Sequence, residues 1–148
     1  MENSIWGITC TLDNSSMGHF LKIISHENYI FYIPWCSKID KDNSLRPDSR
    51  RDYYVSNQEL RDIAEDTIWE LELQIYPQGV MHDIFDTYDS FRNSNCICSI
   101  IFYDCMELEI YVKSDRSLEK IYNMLSGFGA ERIHFLTCSS QMRQVIHL

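Results

Sequence analysis

Apolar residues along this chain recur with two periods, and the switches between them mark out alternating strands and helices. Ile5 to Leu12 is an apolar run around Gly7, which predicts a buried strand with one close backbone approach at the glycine. Met17, Phe20, Leu21 and Ile24 then fall at helical spacing. With Ser15 or Ser16 as N-cap, they predict an amphipathic helix over about 16–25. Tyr29 to Ile33 is a second β-rich run, and Pro34 is expected to stop it.

Residues 36–52 are dominated by Ser, Asp, Asn, Lys and Arg and predict a long polar loop. Tyr53-Tyr54-Val55 reads as a short strand. The capping-box pattern Ser56-Asn57-Gln58-Glu59 then opens a helix over about 57–66, with Leu60, Ile63 and Ala64 as its apolar side. From Ile68 the pattern alternates, Trp69, Leu71, Leu73 and Ile75 against Glu70, Glu72, Gln74 and Tyr76, which predicts a half-exposed strand.

Pro77-Gln78-Gly79 turns the chain, and Ile84, Tyr88 and Phe91 predict a short helical turn. The apolar run 97–103 and the alternating Leu108, Ile110 and Val112 should pair as an antiparallel hairpin across Asp104. Ser114 or Asp115 caps a helix with Leu118, Ile121, Tyr122 and Leu125 on one face, stopped by Gly127 and Gly129. Ile133, Phe135 and Thr137 make another strand, with Val145 to Leu148 returning beside it.

This order predicts an α/β or α+β protein forming a single domain over residues 1–148. Its single mixed, largely antiparallel sheet would be covered on one face by about three helices and partly solvated on the other. A chain of 148 residues with 45% hydrophobic content has ample material for one core.

Charge narrows the partners. Lys and Arg number 13 against 22 Asp and Glu, a formal charge of -9 that repels phosphate backbones and anionic lipid, so neither nucleic acid nor a membrane is expected. No basic leader precedes an apolar stretch, and no run of about 18 apolar residues occurs. A cytoplasmic location follows as an expectation, and with it the reading of Cys10, Cys36, Cys96, Cys98, Cys105 and Cys138 as thiols.

Candidate chemistry is sparse. On a strand Cys96 and Cys98 would face the same side and could meet Cys105 or His82. The paired knuckles of a zinc site are missing, however, so neither metal nor cofactor is expected. Gly127-Phe128-Gly129 follows a helix, whereas a phosphate cradle opens one. Of the histidines, His82 sits beside Asp83 in a loop, where Asp83 or Asp86 would orient it as a general base.

The most concentrated feature is acidic: Glu59, Asp62, Glu65, Asp66, Glu70 and Glu72 are answered within that stretch by Arg61 alone. Such a run is ordinarily a solvated helix and strand surface; the sharper alternative is an interface, for which Trp69 within it and Tyr53 and Tyr54 nearby would supply aromatic anchors.

Gly7-Ile8, Tyr76-Pro77-Gln78-Gly79, Thr87-Tyr88-Asp89-Ser90-Phe91, the Asp104 hairpin, Ile110-Tyr111-Val112-Lys113 and Ile121-Tyr122-Asn123 occur in that order. In this the chain resembles a family of small bacterial proteins catalogued as domain of unknown function 2691. The resemblance implies a bacterial single-domain α/β protein and brings no catalytic residues with it. Ser37 to Asp52 departs most from that family.

The functional expectation is a non-enzymatic acidic module that binds a basic protein partner, such as an immunity protein neutralising its cognate toxin. Glu59, Asp62, Glu65, Asp66, Trp69, Glu70 and Glu72 would form the contact surface. The alternative is a small enzyme built on the 77–86 loop, which requires a concave pocket around His82. Oligomeric state is left open.

Overall fold

The computed structural model describes residues 5–39, 45–47 (backbone alone) and 53–137. Along the chain run β1 (Ile5–Thr11), α1 (Asn14–Ile24), β2 (Tyr29–Ile39), β3 (Leu45–Pro47), β4 (Tyr53–Val55) and α2 (Asn57–Ile63). There follow β5 (Thr67–Pro77), α3 (Tyr88–Arg92), β6 (Cys98–Tyr103), β7 (Glu107–Tyr111), α4 (Asp115–Gly127) and β8 (Glu131–Thr137). The strands form one eight-stranded sheet in the order β3-β2-β5-β6-β7-β1-β8, with β4 also paired to β2. Every pairing among the described strands is antiparallel, so the fold is α+β and the anticipated mixed sheet has no parallel pair there.

Local chemistry sets the helix ends. Asp13, not Ser15 or Ser16, caps α1 by accepting the Ser16 N–H at 2.8 Å. Ser56 and Glu59 form the expected capping box of α2. Past α4, Gly129 takes a φ of 77°, and the Ala130 and Gly129 N–H groups bond back to Leu125 O and Ser126 O. That pair of bonds is the Schellman ending that glycine permits.

Two bulges overturn the simple period-2 reading. β2 does not stop at Pro34. Tyr32 faces Gln74 and Trp35 faces Glu72, so Ile33 and Pro34 together oppose Leu73, and the proline occupies a bulge that does not need its missing N–H. The phase shifts there: Phe31 and Ile33 lie in one core cluster before the bulge, and Cys36 joins the same cluster after it. In β5 a second irregularity at Trp69 puts Ile68 with Leu71, Leu73 and Ile75, not Trp69 as the alternation predicts.

The expected polar loop is also shorter than 36–52, because residues 36–39 extend β2 and 45–47 form β3. Residues 40–44 and 48–52 lie outside the described residues, as do the expected return strand at Val145 to Leu148 and Cys138.

Alternate residues of the strands feed two cores. The larger takes Ile8, Leu73, Ile100 and Ile110 with Phe20 of α1, Leu60 of α2 and Leu118 of α4. The smaller takes Tyr32, Tyr76, Ile101 and Tyr111 with Phe85, Tyr88, Phe91 and Cys96. β5 is therefore buried from Leu71 through Tyr76 and is not the half-exposed strand expected. Within the loop, Phe85 takes the inward place expected of Ile84, which points to solvent.

The hairpin forms as expected, with a tight turn at Asp104 and Cys105, whose φ values of 53° and 63° match the twist of the flanking strands. Gly7 meets its expected close approach: a Cβ there would stand 1.9 Å from Ile110 O.

Candidate functional site

The fold divides the acidic stretch. Glu59, Asp62 and Asp66 meet with Lys38 around a shallow recess of about 210 Å³. Asp66 pairs with Lys38 at 3.0 Å, and Glu65 pairs with Lys22. The Lys22 hydrogen bond and charge hold the Glu65 carboxyl below its ordinary value. Glu59 is engaged in the α2 capping box, and Asp62 accepts from Gln58 at 3.0 Å. Lysines distant in sequence thus answer part of a stretch that locally contains Arg61 alone.

Glu70 and Glu72 alternate with Leu71 and Leu73 and therefore project from the sheet face opposite to α2. Trp69 is half-buried at the β5 irregularity, where its carbonyl accepts the Cys105 N–H at 3.1 Å. The seven residues do not form one patch.

Glu72, 3% exposed, instead lies against a recess of about 360 Å³ shared with Tyr32, Gln74, His82, Asp83 and Phe85. The segment after β5 builds its far wall. Tyr76 Oη accepts the Asp83 N–H at 3.0 Å and donates to Gln74 Oε1 at 2.7 Å, tying loop to strand. Asp83 Oδ2 accepts the Asn95 N–H at 2.6 Å, so this carboxylate braces the loop and does not orient His82. Lys113 donates to Ser94 O at 2.6 Å and stands 5.1 Å over the Phe91 ring, fastening the far end of the segment.

His82 is held by two tyrosines. Its ring stacks on Tyr32 with centroids 3.8 Å apart and planes 6° from parallel. Tyr54 Oη accepts the His82 backbone N–H at 3.1 Å and also bonds ring Nδ1. Tyr54 thus fixes the ring at Nδ1 and leaves Nε2 facing the recess, with the direction of the Oη–Nδ1 bond set by the ring tautomer. His82 was visible in the sequence; its partners Tyr54 and Tyr32 arrive from β4 and β2 and carry no local signal. On either side of His82, Met81 and Ile84 are 75% and 91% exposed.

The cysteines do not converge. Cys96 belongs to the smaller core and Cys98 to the larger, on opposite faces, because Cys96 precedes β6 and is not part of its alternation. Burial pushes the Cys96 thiol up to about 12 and raises that of Cys98 as well. Cys10, Cys36, Cys96, Cys98 and Cys105 are free thiols, and among the described residues no three His, Cys, Asp or Glu side chains gather as a metal site. No helix among those residues is long and apolar enough to cross a membrane.

Fold and site together define a small α+β protein whose antiparallel sheet bears an aromatic-walled, acid-containing recess beside two exposed apolar side chains. The chain belongs to the family described as Protein of unknown function (DUF2691), which matches residues 6–147. It is similar to the uncharacterized protein YncE of Bacillus subtilis (strain 168), with 29% identity over 89 residues. That stretch covers 60% of this chain and 58% of YncE, so less than two thirds of the relative is spanned. No solved structure matches the chain.

Proposed function

We propose that the protein is a non-catalytic binding module that engages a basic protein partner, and that an immunity protein neutralising a toxin by direct binding is the form this takes. The observation that carries the reading is the pair Met81 and Ile84, 75% and 91% exposed: Ile84 lines the recess containing Glu72, and Met81 adjoins His82 in the chain. Large apolar side chains left in water beside a buried polar pocket are the composition of an interface centre. Tyr54, half of the clasp on His82, supplies the aromatic anchor, so the contact surface moves from the 59–72 stretch to the 81–84 loop. The carboxylates on α2 then act as a steering rim.

The test is complex formation between the purified chain and the product of the neighbouring gene. A stoichiometric complex that weakens with salt and is lost in Met81→Asp/Ile84→Asp is expected. Absence of any complex, together with no protection of cells from that gene product, removes the reading.

A second reading, a small enzyme using His82, gains support from the concavity around the ring. Against it stands the Tyr54 bond, which occupies Nδ1, together with Asp83, whose carboxylate braces the Asn95 N–H and does not orient the ring. His82→Gln would abolish turnover in the enzyme reading and leave toxin protection largely intact in the binding reading.

A further inference from the structure

On the sheet face away from His82, α1 and α4 meet at one end and part at the other. At the closed end Ser16 Oγ donates to Phe128 O at 3.4 Å, and the His19 and Phe128 rings lie 6.3 Å apart. These contacts join the first half of α1 to the C-cap of α4. The C-terminal half of α1 and the N-terminal half of α4 diverge over the sheet and leave a cleft of about 460 Å³ between them.

Ile24 of α1 and Ile121 and Met124 of α4 form its walls, with Ile75, Cys98 and Ile100 as the floor. Ile23 and Ile97, 55% and 38% exposed, extend the apolar surface to the lip. Small-molecule sites run from roughly 300 to 1,000 Å³ and are mostly apolar with a few placed polar groups.

The rim carries one sign of charge. Lys120 and His26 line the cleft and, among the described residues, no carboxylate does, in a chain whose formal charge is -9. Lys120 takes part in none of the ion pairs among the described residues. His26 Nδ1 accepts the Asn28 N–H at 3.1 Å, which leaves Nε2 as a donor. An apolar slot with cationic and donor groups at its mouth, on an otherwise acidic protein, is complementary to an apolar chain ending in an anion.

We propose that this cleft binds a medium-chain fatty acid, its aliphatic tail lying between Ile24 and Ile121 over Ile100 and its carboxylate at Lys120 and His26. The site is independent of the protein-binding face, which lies across the sheet.

Calorimetric titration of the full chain with dodecanoate below its micelle concentration tests this, with dodecyltrimethylammonium as the cationic control of equal length. Saturable one-to-one binding of dodecanoate is expected, at least about tenfold tighter than the control. Lys120→Glu, an exposed substitution, should erase that preference, and Ile121→Asp should weaken both ligands. Should Ile121→Asp fail to fold by circular dichroism, Met124→Gln takes its place. The proposal is overturned by equal affinity for the two head groups, by the absence of saturable heat, or by an unchanged preference in Lys120→Glu. Met81→Asp/Ile84→Asp should bind dodecanoate normally, so failure at one site is distinguishable from failure at the other.

Discussion

The Asn14 carboxamide holds both backbone groups of Ile68: Nδ2 donates to Ile68 O at 2.8 Å, and Oδ1 accepts the Ile68 N–H at 2.9 Å. Nδ2 also reaches Cys105 Sγ at 2.9 Å. One side chain thus substitutes for a strand partner where β5 becomes irregular, and it joins the start of α1 to the β6–β7 turn. Asn14→Ala is expected to cost about 2–3 kcal/mol, since it leaves part-buried peptide groups unpaired. Asp13→Ala, one residue away, loses only the helix cap and should cost about 1 kcal/mol. Urea unfolding of the two variants checks the order, and equal losses would remove the bridging role.

Glycine replacements should separate by what each new Cβ meets. Gly7→Ala drives a methyl against Ile110 O at 1.9 Å, backbone against which β1 is paired, and should cost about 3 kcal/mol or more. Gly18→Ala, 2.6 Å from Ala64 O, should be next in severity. Gly127→Ala enters open space at the end of α4 and should gain up to about 1 kcal/mol. Thermal unfolding of the three gives the ranking.

Alkaline pH should destabilise the fold through its buried thiols. Burial lifts Cys10 to about 11 and Cys96 to about 12 from an ordinary value of 9.0. The unfolded chain therefore releases these protons first, the native state holds more of them above that ordinary value, and stability falls as pH rises through it. Each thiol contributes a slope of up to about 1.4 kcal/mol per pH unit, ending once the folded value is passed. Cys10→Ala should flatten the decline in urea midpoint between about pH 8 and pH 10.5 relative to the parent chain.

Removing the Tyr54 hydroxyl should release the His82 ring. Nitrogen spectra of the parent chain are expected to show one dominant ring tautomer, and Tyr54→Phe should shift the population toward a mixture of the two. The Tyr32 stack alone does not select a tautomer, so an unchanged spectrum in Tyr54→Phe would assign the control to another group.

Much of the fold was legible because local rules acted alone there. The Ser56 capping box, the Asp104 hairpin and the glycine ending of α4 each depend on residues within a few positions. What escaped depends on distant partners. Pro34 reads as a strand terminator unless the bulge opposite Leu73 is known, and the alternation from Trp69 to Ile75 conceals an irregularity that brings Ile68 to the core. The site followed the same division: His82 stood out beside Asp83, but the groups that hold it, Tyr54 and Tyr32, are 28 and 50 residues away in sequence. Charge follows the same division, because Lys22 and Lys38 answer Glu65 and Asp66 from other elements.

The place of β1 between β7 and β8 governs when a nascent chain can close its sheet. Residues Ile5 to Thr11 gain one neighbour only after Tyr111 has been made, and the other only after Thr137. Throughout that interval Ile8 and Cys10, both destined for the core, have no completed sheet to enter. Such distant pairings carry a large loop-closure cost and are slow to form. Closure of the sheet around β1 therefore waits for β8, and a ribosome stalled before that strand would display a sticky, half-paired β1 to the quality-control machinery.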